Sequence, residues 1–444
     1  MSSSPTPTAS ATATPGVARW SLALLLGINL FNYIDRQVLA AVLPQIKREF
    51  QASDDEMGWL ATVFLLSYMC FAPLFGRLAE RYGRWLLVGV GVILWSLASG
   101  ASGLATSITI MLFTRAFVGI GEAAYGPAAP TIISDLFPQE RRGRVLAWFY
   151  VAIPVGSALG YLLGGQVLNF GYSWHWAFFV VVPPGLLLGV LALVMRDPPR
   201  IASAEELPKS HLLADYRKLI RIRSYLFNTA GMTAMTFALG GLAFWMPDYI
   251  VWRHEVEGLI DSNSKEAVDA ATAAANSIFG PIIVLSGLLG TLAGGWVGDK
   301  LRPRWPGSYF LVSGIAMILS FPLVALLPFV PFPTAWGLIF VACVGLFFNT
   351  GPTNTILANV THPSIRAAGF ALNIFIIHAL GDAISPQVIG VLNVYFGNNN
   401  VGIVAVSFTI LLGGILWLLG ARYLQEDTQQ AAEGGSRKGA EAQR

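Results

Sequence analysis

The sequence predicts an all-α membrane protein: twelve transmembrane helices in two six-helix, pseudo-symmetric bundles. Three observations predict it. Of 444 residues, 55% are hydrophobic and only 12% charged, about half the charged fraction of an ordinary soluble domain. Apolar windows long enough to cross a hydrocarbon core of about 30 Å recur along the whole chain. Polar motifs in the loops of the first half return in the second. The 46 glycines and 25 prolines fit the same class, because both are commoner in membrane-spanning helices than in soluble ones. Segments of about ten alternating residues, the signature of a membrane barrel, do not occur.

In chain order, the Ser/Thr/Pro/Ala-rich stretch 1–18 has no charged leader and reads as a disordered tail, not a signal peptide. Predicted helices 1–6 run over 20–44, 55–79, 85–105, 108–136, 144–170 and 174–195. A polar connection, 196–223, opens with Asp197-Pro198-Pro199. Helices 7–12 follow at 224–252, 278–299, 308–329, 334–360, 366–396 and 401–423. The bundles are therefore 19–195 and 224–424, and 425–444 is a second disordered tail.

Basic residues set the expected orientation. On the side of the termini lie Arg19, the trio Arg77, Arg81 and Arg84, the trio Arg141, Arg142 and Arg144, and seven between Arg196 and Arg223. Lys300, Arg302, Arg304, Arg366 and, at the C-terminal end, Arg422, Arg437, Lys438 and Arg444 join them. Together these are 22 of the 28 Lys and Arg residues, against four on the other side: Lys47, Arg48, Arg253 and Lys265. The positive-inside rule then puts both termini in the cytoplasm of a protein of the cytoplasmic membrane. A net charge of +3 that follows topology, without forming a patch, argues against a nucleic-acid partner.

The repeats can be read directly. Gly76-x-x-x-Glu80-Arg81 after helix 2 returns as Gly295-x-x-x-Asp299-Lys300 after helix 8. Pro138-x-x-Arg141, Gly156 and Gly165 return as Pro363-x-x-Arg366, Gly381 and Gly390. Two parallel halves related by an axis along the membrane normal describe the major facilitator fold, with substrate held between them near the midplane. The run Gly76-Arg-Leu-Ala-Glu80-Arg81-Tyr-Gly83-Arg84 resembles that superfamily's loop motif. Asn32-Tyr33-Ile34-Asp35-Arg36, Arg115-x-x-x-Gly119-x-Gly121-Glu122-Ala123, Phe149-Tyr150-x-Ala152-Ile153-Pro154-Val155-Gly156-Ser157 and Trp174-His175-Trp176-Ala177 resemble the spinster subfamily. The resemblance implies an amphipathic, lipid-like cargo of the lysolipid or sphingolipid type.

Arg36 and Arg115 sit inside long apolar runs, where a charge costs roughly 2.5–3.5 kcal/mol on insertion scales and marks a protein interior or a polar path. At a rise of about 1.5 Å per residue, Asp35 lies roughly 13 Å below the far end of helix 1. Arg115 lies about 10 Å into helix 4 from the same side, and Glu122 about 21 Å. Asp35 and Arg115 are expected to pair, with Glu122 as the alternate acid for Arg115. These three are the expected proton-coupling set; the alternative is a static clamp between helices 1 and 4. Glu122 is expected to lack a cation at its own depth. Arg36 is expected to be structural or cavity-lining, its guanidinium held by Asp35.

Asn349, Thr353, Asn373, His378 and Asp382 in helices 10 and 11 are candidates for a polar cavity wall. Their alternatives are helix-to-helix glue and, for the last two, an intrahelical bond. At the cytoplasmic face Gly76, Arg77, Glu80, Arg81 and Arg84, with Asp299 in the repeat, are expected to form a gate in which Glu80 accepts from Arg77 and Arg84; the alternative is a topology signal alone. Gly156-x-x-x-Gly160-x-x-x-Gly164 reads as a packing seam.

The sequence contains no Gly-Lys-Ser/Thr phosphate loop, no His pair at metal spacing and no Gly-x-Ser-x-Gly elbow. No cofactor, metal or enzymatic activity is expected, and an ion gradient is left as the energy source. The expected function is a proton-coupled, alternating-access carrier of a lipid-like molecule, monomeric among membrane lipids. A symporter of small organic anions and a non-transporting lipid sensor are the competing functions.

Overall fold

The computed structural model describes residues 15–197, 212–332, 334–362 and 365–431. Among them, twelve helices are long and apolar enough to cross a membrane. The first six are α1 (Gly16–Ala41), α2 (Asp54–Ala79), α3 (Arg84–Ser102), α4 (Ile108–Leu136), α5 (Trp148–Asn169) and α6 (His175–Val194). The second six are α7 (Arg223–Val256), α8 (Lys265–Leu301), α9 (Ser308–Phe329), α10 (Thr334–Val360), α11 (Ala368–Phe396) and α12 (Asn399–Ala431). No described residue is in a strand.

Several limits differ from those predicted, each for a local reason. α1 stops at Ala41, and the chain turns at Val42 into a short helix, Leu43–Glu49, that starts on Pro44; proline is pre-shaped for a first helical turn and lacks the N–H to continue the previous one. α8 begins at Lys265, not 278. Ser264 caps it by accepting from the Ala267 N–H at 3.2 Å, and the alanine-rich stretch that follows favours helix though it is too polar for an apolar window. The chain is helical from Pro15 and again as far as Ala431, so part of each expected tail is helix. Residues 1–14 and 432–444 lie outside the described residues. The connection between the halves carries a helix, Leu212–Leu219.

Packing in the two halves is mirrored. α1 packs on α5 and α6 as α7 packs on α11 and α12. α2 packs on α4 as α8 packs on α10, and α3 on α4 and α6 as α9 on α10 and α12. Between the halves, α5 lies against α8 and α2 against α11, which is one contact repeated by the pseudo-twofold. The predicted glycine seam is the α1–α5 interface: a Cβ on Gly160 would sit 2.6 Å from the Ile34 carbonyl, and one on Gly156 2.7 Å from the Leu30 carbonyl.

Three crossing helices break near their middles. α4 breaks between Tyr125 and Ala128, at Gly126-Pro127. Its repeat equivalent α10 breaks between Phe347 and Thr350. α11 contains a π-turn, His378–Asp382, with Gly381 at φ −104°, ψ −105°. Such turns re-aim side chains and often mark functional positions.

The seam makes a prediction. Gly160→Leu should destabilise the folded protein by about 1–3 kcal/mol through overpacking. Gly76→Ala, whose added methyl meets nothing within 4 Å, should be neutral. Thermal unfolding of the two variants in detergent checks the contrast.

Candidate functional site

Adjacent residues on a helix point about 100° apart, so Asp35 and Arg36 leave α1 in different directions. Asp35 turns to α3, where the Ser99 hydroxyl donates to Oδ1; its Oδ2 has no hydrogen-bond partner among the described residues. Arg36 turns towards α2 and α4. Its Nε and Nη2 donate to Glu122 Oε2 at 2.8 and 2.5 Å. The Arg36 side chain is 22% exposed and that of Glu122 1%, so the pair has one open side.

Aromatic rings surround the cation. Arg36 Cζ lies 5.2 Å from the Tyr33 ring centroid, 5.0 Å from Phe64 and 5.8 Å from Tyr68. Arg115 is buried, with Cζ 5.3 Å from the same Phe64 ring. Its Nε and Nη1 have no hydrogen-bond partner among the described residues. It lies in the combined field of Asp35 and Glu122. The site thus holds two cations and two carboxylates, with one direct ion pair formed.

This corrects three expectations. Arg115 does not bond Asp35, Glu122 does have a cation, Arg36, and the Arg36 guanidinium is held by Glu122 and not by Asp35. Rise per residue fixes depth along a helix but not the azimuth of each side chain. A guanidinium on three methylenes also reaches more than a turn along a neighbouring helix. Ser99 and the rings of Phe64 and Tyr68 belong to the site as well; a serine in an apolar span was the one available signal, and nothing in the sequence marks Phe64.

In the second half, His378 Nδ1 lies 2.9 Å from the Asp382 carboxylate across the π-turn. Both are partly exposed, and the π-turn that carries them packs on α7 of its own half and on α2 of the first half. Asn349, Thr353 and Asn373 are fully buried. Asn349 donates to the Leu346 carbonyl at 2.6 Å, Thr353 to the Asn349 carbonyl at 2.9 Å and Asn373 to Thr229 Oγ1 at 2.9 Å. In this conformation their bonds are to nearby backbone and to a neighbouring helix, the alternative to the cavity wall expected of them.

At the face of the termini, Arg84 bonds Asp135 at 2.5 Å, and the Arg84 and Trp85 N–H groups donate to Asp197 at 2.9 and 3.1 Å. Asp197 thereby caps α3 with the sign the helix dipole favours. Asp135 and Asp197 fill the place expected of Glu80, whose side chain lies outside those described. Arg77 is exposed, Arg81 stacks on Tyr82 at 5.3 Å, and Asp299 accepts from the Tyr309 hydroxyl at 2.8 Å. A Cβ at Gly76 or Gly295 would meet nothing, so neither glycine is at a close contact here.

Polar contacts between the halves cluster at the opposite face, on the helix Leu43–Glu49. Lys47 pairs with Asp54 of its own half and, at 3.4 Å, with Asp248 of the other. Gln45 donates to Asp269 and Thr272 at 3.1 and 2.9 Å, and Arg48 to Glu255 and to the Ser262 carbonyl. Asn393 donates to Asp54 at 3.0 Å, Asn276 to the Ala41 carbonyl at 2.7 Å. Trp174 anchors the helix to its own half through Glu49 at 2.7 Å. Burial alone would push the Lys47 ammonium down; Asp248 and Asp54 outweigh it and hold Lys47 above the ordinary lysine value. The stability of that pairing is present throughout the physiological range and is lost only as pH rises past the raised value.

Twelve crossing helices in two mirrored halves, with ion pairs at membrane depth, define a membrane carrier, and the model of the Major Facilitator Superfamily matches residues 25–386. Protein spinster homolog 3 of Danio rerio is 35% identical over 432 residues, 93% of this chain and 86% of that one. The sphingosine-1-phosphate transporter SPNS2 of Danio rerio is 33% identical over 428 residues, 91% of this chain and 84% of that one. A bacterial homolog of the human lysosomal transporter spinster, solved inward-facing and unoccupied, superposes with a TM-score of 0.81 at 21% identity over 94% of this chain and 99% of that one. The chain belongs to the spinster branch of the Major Facilitator Superfamily, a family of transporters and not of enzymes.

The seal at the far face carries a prediction. Lys47→Met removes a charge-assisted contact worth about 1.5–3 kcal/mol and should shift the closed-to-open ratio of that face roughly tenfold or more. Spin labels at the exposed positions Gln51 and Asn263, one in each half, should report a longer distance population. An unchanged distance distribution would remove Lys47 from the seal.

Proposed function

We propose that this protein is a proton-coupled secondary carrier that works by alternating access and moves an amphipathic, lipid-like molecule of the lysolipid or sphingolipid type. The observation that carries the reading is the incomplete pairing at the centre: Arg36 holds Glu122, while Arg115 and Asp35 Oδ2 lie beside them with no direct partner. Four charges with more than one way to pair make an element whose arrangement a proton can bias. Protonation of Glu122 weakens its hold on Arg36 and frees a partly exposed guanidinium for an anionic headgroup. At an effective dielectric constant of about 20, one such contact is worth about 4 kcal/mol at 4 Å, enough to bias an equilibrium between facing states.

One feature of the structure supports a lipid-like cargo over a small organic anion: the cation is walled by the aromatic rings of Tyr33, Phe64 and Tyr68. The relative named as a sphingosine-1-phosphate transporter supports the same class. His378 and Asp382 serve as an auxiliary polar wall. The distribution of Lys and Arg supports cytoplasmic termini in a cytoplasmic membrane. The charge-sealed face is then extracytoplasmic, and this conformation opens inward. The protein acts as a monomer, and Arg84 with its acids sets the cytoplasmic gate.

The test is flux into proteoliposomes at two pH values, with a panel of lysolipids and organic acids. Asp35→Asn and Glu122→Gln should each abolish pH-driven flux while the protein stays folded. Arg36→Ala should lose binding of anionic cargo, and Arg115→Ala should lose coupling. Normal pH-driven flux in either acid variant would overturn the coupling, and flux of organic acids alone would transfer the reading to a symporter.

A further inference from the structure

We propose that Phe64 is a positioning residue that holds the Arg36 and Arg115 guanidiniums against its ring and keeps Arg115 out of a fixed bond to either carboxylate. The proposal rests on the proton-coupled reading and names the side chain that keeps the switch from locking. Three observations carry it.

First, both guanidiniums lie within cation–π range of this one ring, at 5.0 and 5.3 Å, and Phe64 is buried. A phenyl face attracts a cation, more so away from water, but offers no lone pair with a fixed direction. Second, Arg115 and both acids have unused bonding capacity: Arg115 Nε and Nη1, Asp35 Oδ2 and Glu122 Oε1 are all buried without hydrogen-bond partners among the described residues. A buried guanidinium beside free carboxylate oxygens would ordinarily close on one of them in a strong, directional bond. Phe64 is the ring within cation–π range of both cations. Third, the ring is placed by backbone contact. Gly119 follows Arg115 by one helical turn, and a Cβ there would lie 2.2 Å from the Phe64 carbonyl. α2 therefore reaches α4 at that point because residue 119 has no side chain.

The groups facing this ring and its two cations are Asp35 and Tyr33 of α1, Tyr68 of α2 and Glu122 of α4. Tyr150 of α5 and Asp382 of α11 lie beyond Tyr33. Removing the π-face while keeping apolar bulk lets Arg115 settle on Asp35 or Glu122. The four charges then have one preferred pairing, and a proton has less to change.

The experiment measures pH-driven flux of a lysolipid in proteoliposomes across a pH series for wild type, Phe64→Leu, Phe64→Tyr and Glu122→Gln, with thermal unfolding of each. Phe64→Leu should keep its thermal midpoint near wild type, lose at least tenfold in pH-driven flux and flatten the pH profile; Phe64→Tyr, which keeps the ring, should retain the profile. Should Phe64→Leu fail to fold, Phe64→Met makes the same comparison. A purely structural Phe64 would lower stability and maximal flux with the wild-type pH profile, and that result overturns the proposal. If Glu122→Gln loses pH-driven flux while Phe64→Leu keeps it, the Phe64 proposal alone falls. If Glu122→Gln keeps it, the coupling reading falls and takes this proposal with it.

Discussion

Two arginines and two carboxylates at membrane depth, all but Arg36 fully buried, must neutralise one another, and the first half is built around that requirement. Desolvating a charge costs several kcal/mol even after relaxation, so no one of the four is tolerable alone. α1 contributes Asp35 and Arg36 in successive positions and therefore needs a polar neighbour in two directions: Ser99 on α3 takes one, Glu122 on α4 the other. The remaining side of α1 is free for α5, whose glycines let the two backbones touch. The helix order around α1 thus follows from where its charges point.

Among the described residues, the second half carries no equivalent set. His378 and Asp382 satisfy one another within a π-turn, and the buried polar residues of α10 are bonded to nearby backbone carbonyls. Its fold repeats the first half in helix contacts but not in charge. The asymmetry places the Arg–carboxylate set in one half alone.

Between the halves, the contacts differ in kind along the molecule. On the face away from the termini, a seven-residue helix, Leu43–Glu49, concentrates ion pairs and amide bonds to α7 and α8. On the face of the termini, Arg84, Asp135 and Asp197 tie α3, α4 and the start of the connecting segment together within the first half. These contacts range from the largely buried Lys47, Asp54 and Asp248 set to the more exposed pair of Arg48 with Glu255. The breaks in α4, α10 and α11 lie near the middles of those helices.

The fold was legible because the solvent imposes it. Apolar runs of fixed length become helices in a bilayer since every backbone group must be satisfied internally, and the repeated Gly-x-x-x-acid-basic and Pro-x-x-Arg motifs exposed the duplication. The intramembrane charges were legible as a group, because Arg36, Arg115, Asp35 and Glu122 interrupt apolar runs. Their pairing was not. Rise per residue gives depth, but which of two neighbouring side chains meets which partner depends on the rotation and tilt of each helix and on the reach of arginine, and these are decided by the packing of α1 on α5 and α2 on α4. Phe64, Ser99, Asp135, Asp197 and Lys47 acquired their places the same way: each looks ordinary in sequence and matters only for what the folded chain sets beside it.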